Sequence, residues 1–187
     1  MTLVEKVVHR GPTGSGPIQT PRLRLKPLAP ETGIVDGAWW PRSDDLAGEL
    51  PDLLAVLTVR LGGIERVQYG LNEWKDVPKT VDVAGRTVKL DGYWRQPPGT
   101  IGVLGLTHDA LTLLVVPVLM DAEDAHTSMM TAAHPDDRGT PDALLGVGTD
   151  ERIARDLSTI AVQRWESEGG AAAKSAQYAR NDMALAE

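Results

Sequence analysis

Residues 36–44 read Asp-Gly-Ala-Trp-Trp-Pro-Arg-Ser-Asp, and the neighbouring elements can be assigned outward from this Trp-Trp segment. Before it, residues 22–28 alternate basic and apolar side chains, which predicts a half-buried strand. After it, leucines recur at three- and four-residue steps over residues 46–61, which predicts an amphipathic helix. Ser43 is the predicted N-cap of this helix, and Pro51 predicts a kink or a restart within it.

Alternating hydrophobicity, the pattern of strands, fills the middle of the chain. The predicted strands cover residues 64–69, 80–83, 87–90, 100–106 and 111–119. A run of acids then opens a second helix, in which Met129 and Met130 face inward, and a third helix follows Thr149. We therefore predict an α+β fold: a mostly antiparallel, meander-like sheet of five to six strands, with an amphipathic helix after the first strand and two C-terminal helices.

The chain of 187 residues is long enough for one domain with tails. Residues 1–21 contain a Gly/Pro/Ser-rich stretch and predict a flexible basic arm. Residues 22–168 are the predicted single α+β domain, within which residues 135–148 are expected to be a loop. The Ala-rich tail, residues 169–187, is expected to be weakly helical or disordered.

The net charge of −7 opposes binding to phosphate backbones, so duplex nucleic acid is not an expected partner. The longest uncharged apolar run, residues 110–120, is too short to span a bilayer, so no membrane partner is expected either. The chain contains no cysteine, which excludes disulfides and thiolate metal sites and favours a cytoplasmic location.

No motif of an enzyme family or of a cofactor site is present in the sequence. The four histidines, His9, His108, His126 and His134, have none of the spacings of metal ligands. We therefore expect no catalytic residue, no cofactor and no metal.

The Trp-Trp segment combines residue types that bind ligands. Trp39 or Trp40 could stack on a ring, Arg42 could hold a carboxylate or phosphate, and Asp36 or Asp44 could accept a hydrogen bond or act as a base. The structural alternative is that one tryptophan fills the core, Arg42 pairs with a carboxylate and Ser43 caps the helix.

A second set of candidates lies on the predicted strands. Arg66, Arg86 and Tyr93 are chosen from a larger aromatic-basic group that also includes Arg60, Tyr69, Trp74, Trp94 and Arg95. If the sheet brings them together, they line a groove that suits a small anion, a sugar or a peptide. The structural alternative is that the aromatic residues are cross-strand packing pairs.

The chain resembles an actinobacterial family of conserved hypothetical proteins that carry an Asp-Gly-Ala-Trp-Trp-Pro-Arg-Ser motif, which corresponds to residues 36–43 of this sequence. The similar segments also include residues 22–27, 45–54, 66–69 and 165–170. The family is of unknown function, so the resemblance implies an actinobacterial, cytosolic protein with one folded unit and transfers no activity.

The favoured hypothesis is a non-enzymatic binding or interaction module that uses the Trp-Trp segment and the aromatic-basic surface. Its partner would be a small anionic or aromatic ligand or another protein. Two alternatives stay open: a small-molecule enzyme with an Asp/Arg site near the same segment, and a structural or oligomer-forming protein.

Overall fold

The computed structural model describes residues 17–27, 33–148, 153–154, 157–161 and 163–165. The chain divides into two compact units, Met1–Gly146 and Val147–Glu187. The described part of the first unit contains β1 (Arg22–Leu25), β2 (Gly37–Trp40), α1 (Leu46–Leu61), β3 (Ile64–Gly70), β4 (Thr80–Val83), β5 (Arg86–Tyr93), β6 (Thr100–Gly105), β7 (Ala110–Val115), α2 (Ala122–Ala132) and α3 (Pro141–Leu144).

The strands form one mixed sheet in the order β1-β2-β7-β6-β3-β5-β4. Four of the six neighbouring pairs are antiparallel, as predicted, but the sheet is mixed, its strand order is not that of a meander, and it has seven strands instead of five to six. Two neighbouring pairs, β2 with β7 and β3 with β5, are parallel. The path of the chain explains the second pair. After β3, residues 71–79 lead to the edge strand β4 and leave one strand position empty between β3 and β4. The β4–β5 hairpin then places β5 in that position, parallel to β3.

The N-cap of the first helix lies two residues after the predicted one. Asp45 is the N-cap, and its Oδ1 accepts a hydrogen bond from the Gly48 N–H at 3.2 Å. Ser43, the predicted N-cap, instead donates its hydroxyl to Glu49 Oε1 at 2.8 Å. Both residue types cap helices well, so the sequence did not distinguish them. The helix continues through Pro51 without restarting.

Helix α1 covers one face of the sheet, which we call the α1 face. Its buried leucines pack against large side chains from the central strands, including Trp39, Val67, Ile101 and Leu113. Helix α1 follows the second strand, and not the first strand as was predicted, because residues 37–40 of the Trp-Trp segment form β2.

Helix α2 packs on β1 and β2 on the opposite face, which we call the α2 face. Ala125, Met129 and Ala132 join Ala38 and Leu114 there in a second apolar cluster. The prediction that Met130 also faces inward is wrong, since half of it is exposed. A short helix, α3, lies within the predicted loop 135–148, because Thr140 caps it by accepting from the Ala143 N–H at 3.3 Å.

In the second unit, residues 153–154, 157–161 and 163–165 are helical, as the sequence predicts. Most of the predicted arm, residues 1–16, and the predicted tail, residues 169–187, lie outside the described residues. The division into arm, single domain and tail stays a prediction. In the described part of the chain, no helix is long and apolar enough to cross a membrane.

Candidate functional site

Trp39 belongs to the core. Its side chain is 1% exposed, and its ring stacks on that of Trp74 with centroids 6.1 Å apart and an interplanar angle of 16°. The stack joins β2 to the connection 71–79 over the α1 face. The indole Nε1 of Trp74 is buried and has no hydrogen-bond partner among the described residues. Trp39 therefore offers no surface to a ligand in this conformation.

Trp40 points to the α2 face and is half-buried. Its Nε1 donates to the Pro117 carbonyl at 3.1 Å, and the Arg22 guanidinium lies 3.6 Å from the ring centroid. Arg22 also donates to the carbonyls of Trp40 and Pro41. Burial lowers the pKa of Arg22, and the Arg42 charge lowers it further. These contacts fasten the end of β2 to β1 and to the segment after β7.

Asp36 joins three parts of the sheet. Its Oδ2 accepts from the Thr112 N–H at 2.7 Å, and its own N–H donates to the Thr112 carbonyl at 2.7 Å. Its carbonyl accepts from the Lys26 N–H at 2.8 Å. This carboxylate thus extends the pairing between β2 and β7 at the start of β2.

Arg42 and Asp44 lie beyond the other end of β2, and both are exposed. Arg42 Nη2 donates to the Thr20 carbonyl at 3.1 Å, which holds residues before β1 against the segment. From Asp36 to Pro41, the strand spans about 16 Å at the usual rise per residue. The carboxylate of Asp36 and the pair Arg42 and Asp44 are therefore at opposite ends of one strand.

The α2 face has a second half, over β5, β3 and β6, with a different composition. In β2 and β7 this face is apolar, and Ala38 and Leu114 are fully buried. Over β3 and β5, alternation places polar side chains on it instead, whereas β6 contributes a glycine and the half-buried Leu104. We call this half the open sheet face, and it consists of Arg66, Gln68, Lys89, Asp91, Tyr93, Gly102 and Leu104.

Arg66 is at the centre of the open sheet face. Its Nη1 donates to Asp91 Oδ2 at 2.5 Å, and its Nη2 lies 3.9 Å from Glu65 Oε1. The two partners of the ion pair are partly exposed, at 30% for the Arg66 side chain and 33% for Asp91. The Asp91 charge raises the pKa of Arg66, and a hydrogen bond with Tyr93 adds to this effect.

Gln68 and Gly102 are cross-strand neighbours on the open sheet face. A Cβ on Gly102 would lie 3.2 Å from Gln68 Oε1, so the glycine leaves room for this amide to lie flat on the sheet. Lys89 is the neighbour of Arg66 on β5 and is exposed, as is Tyr93. Hydrogen-bond donors, acceptors and one aromatic ring are thus presented side by side.

Arg86 is separated from this group. By alternation along β5, it lies on the same face of the sheet as Val88 and Leu90, which are core residues of the α1 face. Its Nη1 lies only 2.9 Å from the position of a Cβ on Gly63, after the end of α1. The structure therefore brings Arg66 and Tyr93 together and places Arg86 on the other face.

Sequence reasoning missed Gln68, Lys89 and Asp91. The available signal was alternation: residues 66 and 68 of β3, and 89, 91 and 93 of β5, share one polar face. What alternation cannot supply is that β3 and β5 are neighbours, because that pairing follows from the path of the intervening β4. Within the described residues, no group of three or more His, Cys, Asp or Glu side chains could hold a metal ion.

Comparison with known protein families matches residues 22–132, more than half of the chain, to a family of unknown function, DUF5994. No curated protein and no solved structure matches the chain.

Proposed function

The chain belongs to DUF5994, a family of unknown function, and from its structure we propose that it is a non-enzymatic binding module whose contact surface is the open sheet face. One observation carries this proposal. On the α2 face, Ala38 of β2 and Leu114 of β7 are buried in the apolar cluster under α2, whereas the polar side chains of β3 and β5 are half-buried or exposed. A rigid sheet that displays such groups holds them in fixed geometry for a ligand.

The charges of the open sheet face indicate the chemistry of the ligand. Arg66 and Lys89 lie near the carboxylates of Asp91 and the adjacent Glu65, so the surface carries charges of both signs. Such a surface favours a ligand with both donors and acceptors, such as a sugar or a peptide, over a bare anion. An acidic group on the ligand would bind nearest Lys89, which is exposed at the margin of the group.

The Trp-Trp segment contributes to this function by positioning rather than by contact. Trp39 is buried against Trp74, and Arg22 and Pro117 hold Trp40. The segment fixes β2 beside β7, and β7 carries the pairing on to β6 and β3. We keep the cytoplasmic location and the actinobacterial origin as predictions from the sequence.

The enzyme hypothesis used Asp36, Asp44 and Arg42 as one site. Asp36 is bound to Thr112 at one end of β2, and the other two lie beyond its far end. No contact in the described residues joins them, so no specific observation favours this alternative.

A thermal-shift screen with sugars, organic acids, nucleotides and short peptides tests the proposal. A ligand that stabilises the wild type should lose at least about tenfold in affinity in Lys89→Ala and in Gln68→Ala, about the effect of removing one good contact. Arg86→Ala is the matched control. It removes an exposed arginine from the same strand as Lys89, but on the α1 face of the sheet. Equal loss in all three variants, or loss in Arg86→Ala alone, would overturn the proposal.

A further inference from the structure

Strand β4 is the outermost strand at one edge of the sheet. Its inner side is paired with β5, and the ladder begins where the Leu90 N–H donates to the Lys79 carbonyl at 2.9 Å. In an antiparallel ladder, hydrogen-bonded and non-hydrogen-bonded pairs alternate along the strands. The direction of every main-chain group in β4 is therefore fixed by this first bond.

Val81 and Val83 direct their main-chain groups toward β5, so Thr80 and Asp82 direct theirs outward. The side chains of Thr80 and Asp82 are exposed, and Asp82 Oδ1 accepts from the Thr87 hydroxyl at 2.9 Å. Val81 packs against the core of the α1 face. The outer edge of β4 thus presents two main-chain N–H groups and two main-chain carbonyls, while its inner edge is paired with β5.

The sequence of this edge selects one way for two copies to pair. A two-fold axis at Asp82 would bring two carboxylates together, which is unfavourable. An axis at Thr80 would place Pro78, which has no N–H, opposite an outward residue. An axis at Val81 places Thr80 of each copy opposite Asp82 of the other, so each hydroxyl lies beside a carboxylate. The outward main-chain N–H and carbonyl groups of Thr80 and Asp82 then all have hydrogen-bond partners in the second copy.

We propose that two copies of this chain associate through their β4 edges, antiparallel and centred on Val81. The two sheets then continue into one. Four residues on each side bury little area, so the association is weak and depends on concentration. This inference is independent of the open sheet face and does not need a ligand there.

Disulfide trapping tests this pairing, since the wild-type chain contains no cysteine. Val81→Cys places the two thiols in the close, non-hydrogen-bonded pair. The matched control is Val59→Cys on the outer side of α1, where the side chain is 89% exposed. Under mild oxidation, Val81→Cys should form covalent dimers at least about tenfold faster than the control, because pairing raises the effective concentration of its thiols.

Charge substitutions at Thr80 make the test specific for the register. In the Val81→Cys background, Thr80→Asp faces Asp82 of the second copy and should slow dimer formation, whereas Thr80→Lys should speed it. Circular dichroism checks that each variant is folded. Equal rates for Val81→Cys and Val59→Cys, or equal rates for Thr80→Asp and Thr80→Lys, would overturn the proposal.

Discussion

Asp36 shows how a residue that resembles a catalytic or ligand-binding group can be a structural one. Its Oδ2 accepts from the main-chain N–H of Thr112, which extends the β2–β7 pairing beyond the strand. The bond exists because Asp36 directly precedes the strand, where its short side chain reaches the neighbouring backbone as an Asx residue does in a turn. The residue type is thus explained without a ligand.

This role gives a prediction for stability. Asp36→Ala leaves the partly buried Thr112 N–H without its acceptor and should lower the free energy of unfolding by about 1–3 kcal/mol. Asp36→Asn keeps a side-chain oxygen at the same place and should cost less. Urea denaturation of the three proteins measures the difference. Asp36→Asn as destabilising as Asp36→Ala would mean that the negative charge, rather than the hydrogen bond, is what the fold requires.

At the scale of elements, two residues near the N-terminus of α1, Ser43 and Asp45, are candidates for its N-cap. Asp45→Ala should lower the free energy of unfolding by about 1 kcal/mol, because the first turn loses its acceptor for the Gly48 N–H. Ser43→Ala should cost less, since Ser43 donates to the Glu49 side chain and not to the helix backbone. Thermal unfolding monitored by circular dichroism compares them. A larger loss of stability in Ser43→Ala than in Asp45→Ala would mean that Ser43 is the N-cap, as the sequence predicted.

The sequence predicted elements well where local chemistry determines them. The leucine period identified α1, and Gly62, a glycine at φ 67°, ends the helix. The turn at Ala84 and Gly85, both at positive φ, closes the β4–β5 hairpin. Strand β2 was missed because four residues with two adjacent tryptophans show no alternation over a useful length.

At the scale of the whole molecule, the sequence did not contain a local signal for strand order. The α+β class was confirmed, but the parallel pairs β2–β7 and β3–β5 join strands that are distant along the chain or separated by an intervening strand. The candidate site depends on that order. Arg66 and Tyr93 were selected from the sequence, whereas Lys89 and Asp91 became their partners only when β5 was placed beside β3.

The central claim is that the ligand surface lies on the open sheet face and not at the Trp-Trp segment. The most direct test is a map of backbone amide chemical shifts in the ¹⁵N-labelled protein during titration with a ligand found in the thermal-shift screen. We expect the largest changes at residues 66, 68, 89, 91 and 93, on two neighbouring strands. Changes concentrated at residues 36–44, with the open sheet face unaffected, would contradict the claim.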